Sequence, residues 1–151
     1  MISKALRFID RFFPPKPVYA HCDIPCGIYD PHNAQLAAET VEKMVEKLNA
    51  LPLPTSLNRK DILEHFNSAA RMIYIKEEHA EICKREVLIL WTDFFNEDNS
   101  KALPNLHDLV WKTTKLCSTN KRELNPEKAK ELRESVDKIA EIFKKVKATG
   151  K

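Results

Sequence analysis

Residues 56–95 read SLNRKDILEHFNSAARMIYIKEEHAEICKREVLILWTDFF. Ile62, Phe66, Ala69 and Ile73, then Ala80, Cys83, Val87, Leu90 and Phe94, recur at spacings of three and four, which gathers them on one face of a helix. Lys76 fills the one seam position between the two sets. The pattern implies a single long helix from Ser56 to Phe95, with Lys76 as the place for a kink.

Working outward, Asp30-Pro31 is an N-cap residue followed by proline at the first helical position. Ala34, Ala37, Val41, Met44 and Leu48 form the inward stripe of the helix it opens, which ends at Asn49 before the stiff Leu51-Pro52-Leu53-Pro54 connection. After the polar stretch 96–100, a third helix runs from Leu103 to Cys117 with Leu106, Leu109, Val110, Thr113 and Leu116 inward, and Ser118 to Leu124 serves as a link. Asn125-Pro126 repeats the cap-and-proline signal and opens a last helix built on Ala129, Leu132, Val136, Ile139, Phe143 and Val146. Four helices with short links imply an all-α, antiparallel (up-down-up-down) four-helix bundle. With 151 residues and two glycines, one helical domain is long enough to bury roughly two-thirds of its unfolded surface without disulfides.

The net charge of +3 has a local origin. Of the chain's 25 basic and 22 acidic residues, segment 1–20 holds four and one, leaving 21 of each in the rest. A body balanced in this way lacks the basic footprint of a nucleic-acid binder. No run of 18 apolar residues is present, so no membrane span is expected. Within the leader, Ile2, Leu6, Ile9 and Phe13 share a helical face until Pro14, Pro15 and Pro17 stop it. Arg7, Asp10 and Arg11 interrupt what an export signal would keep apolar, so residues 1–20 read as a removable pro-segment and 21–151 as the working domain. Together with the thiols, this places the protein in the cytoplasm.

The chemistry concentrates at His21-Cys22-Asp23-Ile24-Pro25-Cys26-Gly27-Ile28-Tyr29-Asp30-Pro31. One imidazole and two thiols lie within six residues. An Ile24-Pro25 bond can adopt cis at small cost and fold both sulfurs toward one ion, and Gly27 frees the backbone after the second thiol. Softness alone leaves zinc, copper(I) and nickel open. If the chain is cut between Ala20 and His21, the new α-amine, the Cys22 amide nitrogen and two thiolates make a two-nitrogen, two-sulfur set suited to square-planar nickel(II) or copper(II), with the His21 imidazole able to reach an axial position.

This stretch resembles the nickel-binding hook of the nickel superoxide dismutase family. The resemblance continues through Leu90-Trp91-Thr92-Asp93-Phe94-Phe95 and Leu106-His107-Asp108-Leu109, and spans residues 21 to 147. It implies a precursor activated by a leader-processing peptidase that cuts between Ala20 and His21. It also implies one nickel ion per subunit on His21, Cys22 and Cys26, with Asp23 holding the hook and Tyr29 positioning superoxide. A homohexamer is implied too, in which a neighbouring subunit covers each hook. In the better-known form of the family a glutamate and an arginine hold the axial imidazole. By register these positions carry Ala37 and His79 here, which leaves Glu39 or His79 as replacements.

Two other classes of function compete with the enzyme: a non-catalytic nickel or zinc carrier or sensor using the same hook, and a helical interaction protein whose amphipathic leader docks a membrane or a partner. Cys83 and Cys117 lie on apolar stripes and are expected as core thiols. His65, His79 and His107 read as surface or bundle residues, and Trp91 and Trp111 as core or subunit-contact anchors.

Overall fold

A computed structural model describes residues 27–96, 103 and 105–149. Its described residues form four α-helices, α1 (His32–Asn49), α2 (Arg59–Ile89), α3 (Leu106–Arg122) and α4 (Pro126–Ala148), with one π-helical turn, Leu90–Phe94, continuing α2.

Each start has a local cause. Asp30 Oδ1 accepts the His32 N–H at 2.7 Å, so the aspartate caps from one residue further out than expected and Pro31 occupies the N-cap position of α1. Asn58 Oδ1 accepts the Asp61 N–H at 2.9 Å, while the Asp61 carboxylate receives Thr55 Oγ1 at 2.8 Å and Ser56 Oγ at 2.9 Å. This polar knot sets the start of α2 at Arg59, three residues later than expected. Asn125 Oδ1 accepts from the N–H groups of Glu127 and Lys128 and opens α4 where the sequence placed it.

The helices pack in a ring, α1 against α2 and α4, and α3 against α2 and α4. Their pairings run antiparallel: Lys121 reaches Glu81 and Lys84 reaches Ser118 between α2 and α3, and Gln35 reaches Asp137 between α1 and α4. Val41, Val45, Val87, Leu106, Leu132, Val136, Ile139 and Phe143 are among the buried core. Val45 and Ala38 are fully buried while the expected Met44 and Leu48 are half-buried. The buried face of α1 is turned because the helix packs between α2 and α4 rather than against α2 alone.

Three further features depart from the sequence reading. No kink occurs at Lys76, and α2 is continuous through it. Lys76 is 2 % exposed, and its ammonium donates to the carbonyls of Asn120, Lys121 (3.0 Å) and Glu123 (3.2 Å). The last carbonyls of a helix have no partner within it, so the charge at the seam closes the C-terminal end of α3. Secondly, α3 continues to Arg122 through the expected link, because Asn120 is buried and donates its Nδ2 to Leu116 O and Lys128 O, both at 3.0 Å. Thirdly, α2 spans about 46 Å and α3 about 26 Å at 1.5 Å per residue, so the first half of α2 passes beyond the end of α3. Phe66 is therefore 64 % exposed rather than inward, Ile73 is exposed, and Ile62 and Ala69 are half-buried. Trp111 is exposed with Lys115 over its ring, while Trp91 packs against the core and lies 5.5 Å from the His107 ring.

Candidate metal centre

The described chain begins at Gly27, the residue after the second hook thiol. Its φ of +85° lies in the left-handed region, where an L-residue is strained. A Cβ built there meets nothing within 4 Å, so glycine is required by the backbone and not by crowding.

Two residues later the chain is fastened. Tyr29 is buried, and its ring meets Phe94 edge-on with centroids 6.1 Å apart. Phe94 in turn lies 4.2 Å from Phe143 and 5.0 Å from Phe95. Lys147 Nζ donates to the Tyr29 carbonyl at 3.4 Å. The hook is thus rooted where the start of α1, the end of α2 and the end of α4 meet. Beside the root opens a cleft of about 570 Å³, with Tyr29, Asp30, His32 and Asn33 on one side and Glu86 and Ile89 of α2 on the other.

His21, Cys22, Asp23, Pro25 and Cys26, and the bond between Ala20 and His21, lie outside the described residues. Tyr29 stands in the wall of the cleft. Ala37 is buried in the bundle. His79 is half-buried, and its Nδ1 donates to the Ile75 carbonyl at 3.0 Å, which makes Nε2 the nitrogen facing other partners. Glu39 is exposed and lies beside Glu42, Lys43, Glu46 and Arg133 on the flank of α1 nearest α4. Among the described residues no group of three His, Cys, Asp or Glu side chains could hold a metal ion. The donor set in 21–26 fits a soft divalent ion, and the structure adds to it a glycine-hinged, tyrosine-anchored root beside an open cleft.

Cys83 and Cys117 are free and fully buried. Contact with the Cys117 thiol, and then burial, pushes the Cys83 thiol far above its usual range, which keeps it unreactive. Both are core thiols, as expected. Glu86 and His32 were not identified from the sequence as lining any site. Neither belongs to a motif, and only the antiparallel pairing of α1 and α2 brings them to one cleft.

Residues 16–147 match the family model of nickel-containing superoxide dismutase. The Superoxide dismutase [Ni] of Streptomyces coelicolor is 36% identical over 136 residues, covering 89% of this chain and 95% of that protein, and the Streptomyces seoulensis enzyme matches to the same extent. A native nickel superoxide dismutase structure superposes with a TM-score of 0.67 at 32% identity, covering 84% of this chain and 99% of that one. A nickel-containing superoxide dismutase with the ligation of its oxidised state gives 0.68 at 31%, covering 85% and 99%.

Proposed function

Because the chain belongs to the nickel-containing superoxide dismutase family, we infer that it is a nickel-dependent superoxide dismutase converting two superoxide ions and two protons to dioxygen and hydrogen peroxide. The match of the family over nearly all of the chain is the observation that carries this reading. When bound, nickel supplies a one-electron couple that anionic thiolate and amide donors bring within reach of superoxide. Every other task falls to the chain itself.

His21 holds the metal through its α-amine and imidazole, Cys22 through its amide nitrogen and thiolate, and Cys26 through its thiolate. The amine exists only after a peptidase removes residues 1–20 by cutting between Ala20 and His21. Asp23 steadies the hook, Pro25 turns it, and Tyr29 orients superoxide or ordered water in the cleft. The place of Tyr29, immobilised by Phe94 at the cleft wall, supports this last role and favours the enzyme over a carrier or sensor. With Ala37 at the clamp position, orientation of the His21 ring falls to His79 or Glu39. His79, with Nδ1 engaged and Nε2 presented, suits the task better than Glu39 on the α4 side.

The subunits assemble as a homohexamer. Leu53 at 84 %, Leu57 at 90 % and Phe66 at 64 % exposure line the part of the chain that overhangs the bundle, an apolar surface that a neighbouring subunit would cover. The reduced hook thiols suit a cytoplasmic setting, and among the described residues no helix is long and apolar enough to cross a membrane.

The test is to cut the chain before His21, load it with nickel and follow superoxide loss beside the uncut chain. Turnover in the cut, loaded protein alone is expected. A cut protein that binds no nickel and shows no turnover refutes the function, and equal turnover before cutting refutes the role of the amine. Replacing His79 should change the spectrum of the oxidised, nickel-loaded protein, and an unchanged spectrum removes it from the site.

A further inference from the structure

Dismutation consumes two protons for every two superoxide ions, so the site needs a proton supply as well as an electron couple. Among the described residues, α2 contributes one ionisable side chain to the cleft beside Tyr29, that of Glu86. It is half-buried. Other carboxylates along the helix faces are engaged: Glu81 by Lys121 at 2.9 Å, Glu131 by Lys128 at 2.7 Å, Glu46 by Lys43 at 2.6 Å. Glu86 has no hydrogen bond or ion pair from its carboxylate among the described residues.

A carboxylate without a cation in the path of an anionic substrate is an electrostatic handicap. It becomes an asset if the group works as an acid, because a protonated carboxyl donates a proton and carries no repelling charge. Across the cleft it faces Tyr29, Asp30 and the imidazole-bearing His32. On its own helix it lies near enough to Cys83 for its charge to act on that thiol. Asp30 is already committed through one oxygen to the His32 N–H, whereas the exposed His32 ring borders both the cleft and water.

We propose that Glu86 is the proton-delivering residue of the cleft, recharged through His32 or directly from water. The proposal rests on the dismutase reading above. In the step it serves, one superoxide is oxidised to dioxygen and its electron reduces the second. That second oxygen species takes two protons and leaves as hydrogen peroxide. Glu86 loses its O–H proton to it as one of the two, solvent water in the cleft delivering the other, becomes the carboxylate, and regains a proton from His32 or water before the next cycle.

Two measurements test this. In the full, uncut, metal-free chain labelled with carbon-13 in Glu and Tyr, titration of the Glu86 carboxyl should move the Tyr29 ring resonances, and E86Q should abolish the movement. A Tyr29 ring that does not respond to Glu86 overturns the proposal. In the cut, nickel-loaded protein, E86Q should lower kcat at least about tenfold, less than the roughly hundredfold or more usual for a general acid because water still reaches the cleft. Its kcat/KM should hold, since glutamine, like the protonated carboxyl, puts no repelling charge in the path of superoxide. E86D, which keeps the acid, should retain most of kcat, and small carboxylic acids should restore part of the E86Q rate. A parallel fall of kcat and kcat/KM, or no change in either, overturns the relay alone. Absence of turnover in the unsubstituted loaded protein overturns the dismutase reading and the relay with it.

Discussion

Replacing Lys76 with methionine tests whether a buried charge between helices is structural support or a burden. The ammonium is 2 % exposed and donates to three carbonyls at the end of α3, those of Asn120, Lys121 and Glu123. Hydrogen bonds from a charged donor contribute about 1.5–3 kcal/mol each, and a stranded buried carbonyl costs about 1–3 kcal/mol. Against these stands the several kcal/mol needed to take an ammonium out of water. In Lys76→Met, the carbonyls of Lys121 and Glu123 can be rehydrated because those residues retain access to solvent, but Asn120 is fully buried and its carbonyl cannot. The balance favours lysine by about 2 kcal/mol, which for a domain of this size lowers Tm by roughly 4–8 °C. Urea and thermal unfolding of the full chain, followed by far-UV circular dichroism, measure it. Alkaline pH supplies a second check. Burial holds the Lys76 pKa below its usual value, so between the folded and unfolded values the unfolded chain binds more protons and stability gains as pH rises. The stability difference between wild type and variant should therefore widen across that range. A variant as stable as wild type at neutral pH, or more so, refutes the reasoning and shows that desolvation outweighs the three bonds.

The remaining predictions concern the hook root and the start of α2. Gly27→Ala forces a Cβ onto a φ of +85° with no contact to compensate, a strain of about 1–2 kcal/mol. If the hook root must hold that conformation when loaded, nickel affinity in the cut chain falls about 5- to 30-fold in a chelator competition, and an unchanged affinity refutes the link between root and metal. At α2, hydrogen bonds from Thr55 and then Ser56 hold the Asp61 carboxyl below its usual range. A folded pKa below the unfolded one gives stability that is present above the unfolded value and lost as pH falls through the folded one. Asp61→Asn should therefore lower the urea midpoint at neutral pH and lose that deficit in acid, below about pH 4. A deficit that persists unchanged in acid would show that the charge is not the cause.

Four helices in antiparallel array were legible because each start and stripe is written within a few residues: Asn125-Pro126 for α4, the spacing of Val136, Ile139 and Phe143 for its buried face. What could not be read depends on partners distant in sequence. Lys76 looked like an interruption because its acceptors are 44 and more residues away, and Phe66 looked inward because the length of α3 decides whether anything covers it. The site divides in the same way. The thiols, imidazole and proline of 21–26 announce soft-metal chemistry by their types and closeness, and the family match bears out nickel. Glu86, by contrast, is one more acidic residue on a charged helix until folding sets it opposite Tyr29.

The π turn shows how the bundle positions the hook root. In a regular α register, Leu90 and Phe94 would share the inward stripe and Phe95 would swing about 100° away from it. Instead Phe95 N donates to Leu90 O at 3.0 Å, a bond spanning five residues, and the widened turn buries Leu90 at 3 % and Phe95 at 6 % exposure. Both phenylalanines then reach the same end of the core: Phe95 closes it, and Phe94, set between Phe143 and Tyr29, carries the contact outward. One inserted residue in the turn thus joins the end of α2 to the root of the hook through a chain of rings. Such turns cost helix stability and are frequent at functional sites. Here the return is a tyrosine fixed by the core two residues after Gly27, so that the chain entering α1 starts from an attachment point that the bundle itself holds in place.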